Sequence, residues 1–354
     1  MSDAVKGRAR TLDQAKLPAL AAWLCPTIAA EHVAITDASL LGGGAVQENW
    51  RLDVEVTGGP RAGRHHWVLR TDAAARLSMS LGRPEEFRCI AAAFRAGVKV
   101  AEPVALGEDA GIIGRPFMIQ TLATGSAQGR RIVRDPQIGE MGPRLARELG
   151  AELARLHKIR PPVTDLGFLD EPRRSASHVA VMALREAMDA GSGLRPALEF
   201  IFQWLIDEAP EPRPTALVHG DFRTGNYMVD GGRLTAILDW EFCHWGDPRE
   251  DLGWFSARCW RFGVDDKTAG GIASKADLLA GYNSVAAEPI AEAEIAYWEV
   301  LALARWGAIA ALQGDRFLKD GERSLELALT GLMPAEMELD ALLAIEVIAK
   351  GRKT

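Results

Sequence analysis

Apolar and polar positions alternate with period two over Trp50–Thr57. Trp50, Leu52, Val54 and Val56 are apolar; Arg51, Asp53, Glu55 and Thr57 are polar. This spacing predicts a strand with one buried face. Turn residues fill Thr57–Gly63, and the apolar run His65–Arg70 follows, so the pair predicts a hairpin. Pro84–Gly97 carries proline in its first turn and glycine at its end, which predicts a helix. Gly114–Leu122 predicts another strand.

Beyond residue 122 the pattern becomes helical. The predicted helices are Glu140–His157, Ser177–Met188, Pro196–Glu208, Pro248–Arg261, Ala269–Tyr282, Ala291–Leu312 and Glu322–Leu329. Three apolar runs, Ala216–Val218, Tyr227–Val229 and Leu234–Leu238, are too short for helices and predict strands. The expected fold is α+β. A small mixed-sheet lobe spans 1–122, a larger, mainly helical lobe spans 123–354, and a ligand is expected in the cleft between them.

Composition adds exclusions. A net charge of -7 without a basic stripe argues against nucleic-acid binding. Four cysteines, Cys25, Cys89, Cys243 and Cys259, form no CxxC pair and suggest neither a zinc ribbon nor a thioredoxin-type motif. The polar N-terminus gives no sign of a signal peptide, and a cytoplasmic location is expected. The most apolar long stretch, Ala296–Leu312, contains Glu299 and Arg305 and is read as a buried helix, not a membrane span.

The chemistry is concentrated in LVHGDFRTGNYMVDGGRLTAILDWE, Leu217–Glu241. It has the form H-x-D-x-x-x-x-N, followed by a second aspartate, with one short strand before the motif and two between it and that aspartate. Phosphoryl transfer needs these residue types. One aspartate takes the proton of the attacking hydroxyl, while an asparagine and another aspartate hold magnesium. Magnesium keeps several waters, so two protein ligands suffice. Asp221 is therefore the expected base, and Asn226 and Asp239 the expected metal ligands.

HGDFRTGN with ILDWE, and GDPREDL (Gly246–Leu252) after it, resembles the aminoglycoside phosphotransferase and choline kinase family, distant relatives of protein kinases. The resemblance runs from about Leu40 to at least Leu252. It implies a kinase-like two-lobe fold and transfer of phosphate from ATP to a hydroxyl of a small molecule. The resemblance makes the glycines of LLGGGAVQENW, Gly42, Gly43 and Gly44, a nucleotide-covering loop. It makes Arg70 the cation on the phosphates, with Glu86 as its partner, and Arg223 a stabiliser of developing charge. Asp251 would brace the catalytic loop, and Asp247 would cap the helix after it. The stretch Met118–Leu122 would connect the lobes and pair its backbone with adenine, giving Gln120 and Leu122. His219 is read as a packed residue, and one or two of Trp240, Trp245, Trp254 and Trp260 as pocket walls.

The acceptor is less constrained. Asp265, Asp266, Glu292 and Glu294 would suit a cation, whereas RCWRFG (Arg258–Gly263) is basic and aromatic. A hydroxyacyl-CoA or another metabolite hydroxyl thus competes with an antibiotic. A nucleotide-binding pseudoenzyme with a regulatory role is the rival from another class; the intact Asp221, Asn226 and Asp239 argue against it. A protein kinase would need an A-P-E segment, and GDPREDL follows Asp239 too soon for one. The chain is expected as a monomer or homodimer.

Overall fold

A computed structural model describes residues 12–41, 48–71, 80–109, 111–191 and 193–351 of the chain. The described residues form two compact units. One contains the chain up to Thr124 together with Ala236–Phe242; the other contains Gly125–Thr235 and the chain from Cys243 onward.

The N-terminal unit opens with α1 (Leu17–Thr27) and continues with β1 (His32–Leu40), β2 (Glu48–Thr57), β3 (Gly63–Thr71), α2 (Arg83–Arg95), β4 (Pro103–Gly107) and β5 (Phe117–Thr121). Its sheet has the order β1-β2-β3-β5-β4. Every neighbouring pair runs antiparallel, so the sheet is not mixed as the sequence suggested. Short connections and a helix placed between β3 and β4 leave no parallel crossover. The alternation in β2 buries Trp50, Leu52, Val54 and Val56 on one face, where they share a core with Trp67 and Leu69 of β3 and Leu20 and Leu24 of α1. Each such side chain contributes roughly 1.5–3 kcal/mol. Helix α2 starts with Pro84 in its first turn, and Gly97 follows it at φ +78, a left-handed position that suits glycine.

The C-terminal unit contains α3 (Gly129–Val133), α4 (Ile138–Leu156), α5 (Ala176–Asp189), α6 (Pro196–Asp207), β6 (Ala216–Val218), β7 (Tyr227–Asp230), β8 (Arg233–Ile237), β9 (His244–Gly246), α7 (Arg249–Ser256), α8 (Lys275–Asn283), α9 (Ala296–Leu318), α10 (Leu325–Thr330) and α11 (Pro334–Gly351). The chain passes from one unit to the other inside β8. Helix α9 is the central core element, packed among α5, α6 and α11 through Val300, Leu301, Ala304 and Ala308. Helices α4 and α8 meet at backbone contact: a Cβ on Gly281 would stand 2.0 Å from the Arg147 carbonyl oxygen.

Three expected helices differ most in their bounds, and a fourth, expected over Glu322–Leu329, starts only at Leu325. Pro248–Arg261 is not one helix: α7 stops at Ser256, Ala257 is extended, and Arg258–Trp260 forms a separate turn. The Arg261 guanidinium captures the Ser256 carbonyl, at 2.7 Å from Nη2, which stabilises the break. Ala269–Tyr282 becomes helical only at Lys275, because Gly270 and Gly271 have φ +56 and +72. The helix expected from Ala291 starts at Ala296, after a short turn at Glu292–Glu294.

Candidate active site

The loop His219–Asn226 joins β6 to β7 in the C-terminal unit. Its shape is set from behind by Asp251, in the first turn of α7. The Asp251 carboxylate accepts the His219 N–H at 2.7 Å and the Gly220 N–H at 2.9 Å. It also meets Nε2 of His157, just after α4, at 3.1 Å, and His157 Nδ1 lies 3.0 Å from the Tyr282 hydroxyl. Asp251 is only 1% exposed. Burial pushes its carboxyl up, but the His157 hydrogen bond, the His157 and His219 charges and the His219 N–H together hold it below the ordinary carboxylate value. Thr224 ties the far end of the loop down, its hydroxyl donating to the Gly270 carbonyl at 2.7 Å. One of the two glycines that shorten α8, Gly270, thus serves the loop.

Asp221 projects from this loop with its side chain 15% exposed. Asn226 Nδ2 donates to Oδ2 at 2.6 Å and to the Asp221 carbonyl at 2.9 Å. Arg223 Nε lies 3.3 Å from both carboxylate oxygens, and its guanidinium stacks 4.6 Å over Trp260. Trp254 Nε1 donates to Oδ1 at 2.8 Å. The three donors hold the carboxylate in place. His219 is fully buried, and its Nδ1 accepts the Asp221 N–H at 3.3 Å, so it shapes the loop as expected. Asp247 accepts the N–H of Arg249, the first residue of α7, at 3.0 Å and is paired with the Arg249 side chain.

The N-terminal unit contains a second constellation. Arg70, at the end of β3, donates from Nη1 to Glu86 Oε1 at 3.1 Å and from Nη2 to Asp239 Oδ1 at 3.1 Å. Glu86 is fully buried and is also paired with Arg83. The sequence reading placed Asp239 in the second lobe; by packing its segment joins the first unit. Ile237 donates to the Lys99 carbonyl, and the Glu241 carbonyl accepts the Leu81 N–H. Asp239 itself has φ +59, a strained conformation for a side-chain-bearing residue, and its carboxylate remains 44% exposed. Burial, then the charges of Glu86 and Asp239, push the Glu241 carboxyl up against the pull of Arg83 and Arg70.

Gly42, Gly43 and Gly44 lie outside the described residues. Gln120 is inside β5, opposite Val68 and Pro103, with its side chain buried. Leu122 follows β5, and its N–H donates to the His66 carbonyl at 3.0 Å. Sequence reasoning missed Arg83, His157 and Arg305, and singled out Trp254 only as a general pocket candidate.

Asn226 spends its Nδ2 on Asp221, which leaves its amide oxygen as an atom that a hard divalent cation can use. In the N-terminal unit, Asp239 offers a half-exposed carboxylate of the same hard-oxygen kind. Among the described residues, no group of three or more His, Cys, Asp or Glu side chains could hold a metal by itself.

Comparison with known proteins follows this geometry. The family model of the phosphotransferase enzyme family matches residues 37–287. Acyl-CoA dehydrogenase family member 10 of Mus musculus is 30% identical over 194 residues, which cover 53% of this chain and 18% of that protein. The chain thus spans about a fifth of the length of the first curated relatives it matches. A crystal structure of a candidate aminoglycoside phosphotransferase from Ralstonia eutropha JMP134 superposes with a TM-score of 0.73 at 21% identity, covering 93% of this chain and 98% of that one. The ternary complex of aminoglycoside phosphotransferase APH(4)-Ia with AMP-PNP and hygromycin B has a TM-score of 0.55 at 16% identity and covers 91% and 98%. At these identities the structural likeness establishes the kinase-like α+β fold.

Proposed function

The chain belongs to the phosphotransferase enzyme family, a family of small-molecule kinases, and from that premise we propose that it moves the terminal phosphoryl group of ATP, with magnesium, onto a hydroxyl of a small molecule. The observation that carries this reading is the Asp221 carboxylate, held by Asn226, Arg223 and Trp254 in a loop that Asp251 braces. The acceptor oxygen bonds to the terminal phosphorus as the bond to the bridging oxygen of the leaving ADP breaks, and the acceptor proton passes to Asp221. Asn226 and Asp239 would hold magnesium, whose chemistry is to neutralise phosphate charge. Arg70, kept extended by buried Glu86, is the cation offered to phosphate oxygens. Arg223 meets the charge that develops on the transferred group.

The acceptor reading is finer. Arg223 stacks on Trp260 and Arg305 on Trp254, so guanidinium and indole groups stand beside the base. This surroundings suits a neutral or anionic acceptor with an apolar part better than a polycationic aminoglycoside. The relatives named as acyl-CoA dehydrogenase family members support the second reading, a hydroxyacyl-CoA or related metabolite hydroxyl. A coupled ADP-release assay decides. ATP and magnesium are offered with aminoglycosides, choline, sugars, homoserine and hydroxyacyl-CoAs, with Asp221→Asn and excess EDTA as controls. One acceptor class is expected to raise turnover at least a hundredfold above Asp221→Asn. Equal turnover in parent and variant across the panel would falsify the enzyme reading and leave the regulatory pseudoenzyme.

A further inference from the structure

Two of the three groups that hold Asp221 have other work in the proposed reaction: Asn226 at the metal and Arg223 at the phosphoryl group. Trp254 has none. Its indole offers one N–H donor, no acceptor and no charge. That donor reaches Asp221 Oδ1 at 2.8 Å. The ring is 5% exposed and packs 5.3 Å from Trp260. On another side, the Arg305 guanidinium lies 4.7 Å from the Trp254 ring centroid. Arg305 Nη1 also donates to the Gly220 carbonyl at 2.8 Å, on the residue just before Asp221.

We propose that Trp254, clamped by Arg305, is the positioning residue of the catalytic carboxylate: it anchors Oδ1 while Asn226 Nδ2 holds Oδ2, and so fixes the plane of the group that takes the acceptor proton. The inference rests on the phosphotransferase reading above. A carboxylate turns about two soft torsions, and Arg223 Nε, 3.3 Å from both oxygens, does not by itself select an orientation. A buried ring stacked on a cation has little freedom, so its N–H on Oδ1, with the Asn226 bond on Oδ2, sets the orientation of the carboxylate. Arg305 makes the arrangement rigid with the loop itself, because the same guanidinium touches the ring and the loop backbone. Arg305 comes from α9 and Trp254 from α7, so two core helices converge on one carboxylate.

The test uses ATP–magnesium with the panel acceptor of highest turnover. Trp254→Phe keeps the ring and removes the N–H. Its kcat is expected to fall about ten- to a hundredfold, while both KM values stay within about threefold. Arg305→Met should behave alike, and Arg305→Lys, which keeps a cation and a donor, should recover most of the rate. In the Asp221→Asn background, Trp254→Phe should lower the residual rate no further. Urea unfolding of the unliganded proteins supplies a readout independent of turnover: the stability lost in Trp254→Phe should shrink when Asp221 is already Ala. An unchanged kcat in Trp254→Phe overturns the proposal, as does a loss confined to acceptor KM, which makes Trp254 pocket wall only. Additive rate losses overturn it too. If Trp254→Phe fails to fold, the Arg305 pair decides alone. Parent and Asp221→Asn equally silent across the panel instead overturn the phosphotransferase reading itself.

Discussion

Replacing Asp251 by Asn tests whether the loop is held by charge and acceptor count together. Both carboxylate oxygens are occupied: Oδ1 by the Gly220 N–H, Oδ2 by the His219 N–H and His157 Nε2. An amide fills the same volume but carries hydrogens at one end. In the better orientation its NH2 faces Gly220 and leaves that buried N–H without an acceptor, about 1–3 kcal/mol. The two remaining bonds lose their charge assistance, about 1 kcal/mol each. The expected loss is about 3–5 kcal/mol, and at roughly 2–4 °C per kcal/mol this lowers Tm by about 10 °C. Circular dichroism in a urea series at pH 7 measures the stability, and ADP release measures the displaced loop as a fall in kcat. The pH dependence has a definite sign. The folded Asp251 carboxyl lies below its unfolded value, so its contribution is complete above about pH 4 and fades as pH falls through the folded value. The parent should therefore lose more of its stability below pH 4 than Asp251→Asn does. A variant within about 0.5 kcal/mol of the parent, with kcat intact, would refute the bracing argument.

Two further perturbations address other parts of the molecule. Arg70→Met leaves buried Glu86 with Arg83 alone and strips Asp239 of its cation; stability should drop by about 1–3 kcal/mol and the KM for ATP should rise at least tenfold with acceptor KM unchanged, whereas an unchanged ATP KM would remove Arg70 from the phosphate site. Gly281→Ala puts a Cβ 2.0 Å from the Arg147 carbonyl and should cost about 3 kcal/mol in thermal melts. Gly139→Ala on α4, with nothing within 4 Å, should be neutral or stabilise by up to about 1 kcal/mol; equal effects of the two would refute the close packing of α4 and α8.

The parts of the fold legible in sequence are those whose cause is local. Period two in β2 marked its buried face because alternate side chains of a strand point to opposite sides. The H-x-D-x-x-x-x-N spacing located the loop because its residues are contiguous. The antiparallel order of the N-terminal sheet was not legible, since pairing depends on residues far apart in the chain. Helix α1 escaped notice because Leu17–Thr27 is short and apolar with little periodicity. Asp239 was identified by its motif, but its allegiance to the N-terminal unit comes from tertiary hydrogen bonds to Lys99 and Leu81. Gln120 and Leu122 were the least legible positions, because backbone recognition has no side-chain signature.

The same division explains the site. Its reactive groups sit close together in sequence, whereas what holds them comes from elsewhere. Asp251 and Trp254 are three residues apart on the eight-residue helix α7, so they share a face. One grips the loop backbone at His219 and Gly220, the other the carboxylate of Asp221. Gly253, between them, has no room for a side chain: its Cβ would stand 2.4 Å from Cβ of Trp298 on α9. Glycine therefore lets α7 sit directly against α9, the helix that also supplies Arg305. The depth of one short helix thus fixes both the course of the loop and the aim of its base, and the break after Ser256 returns Trp260 onto Trp254 and under Arg223. GDPREDLGW is for this reason more than a continuation of the metal motif: it is the segment that converts a spacing in sequence into a fixed carboxylate.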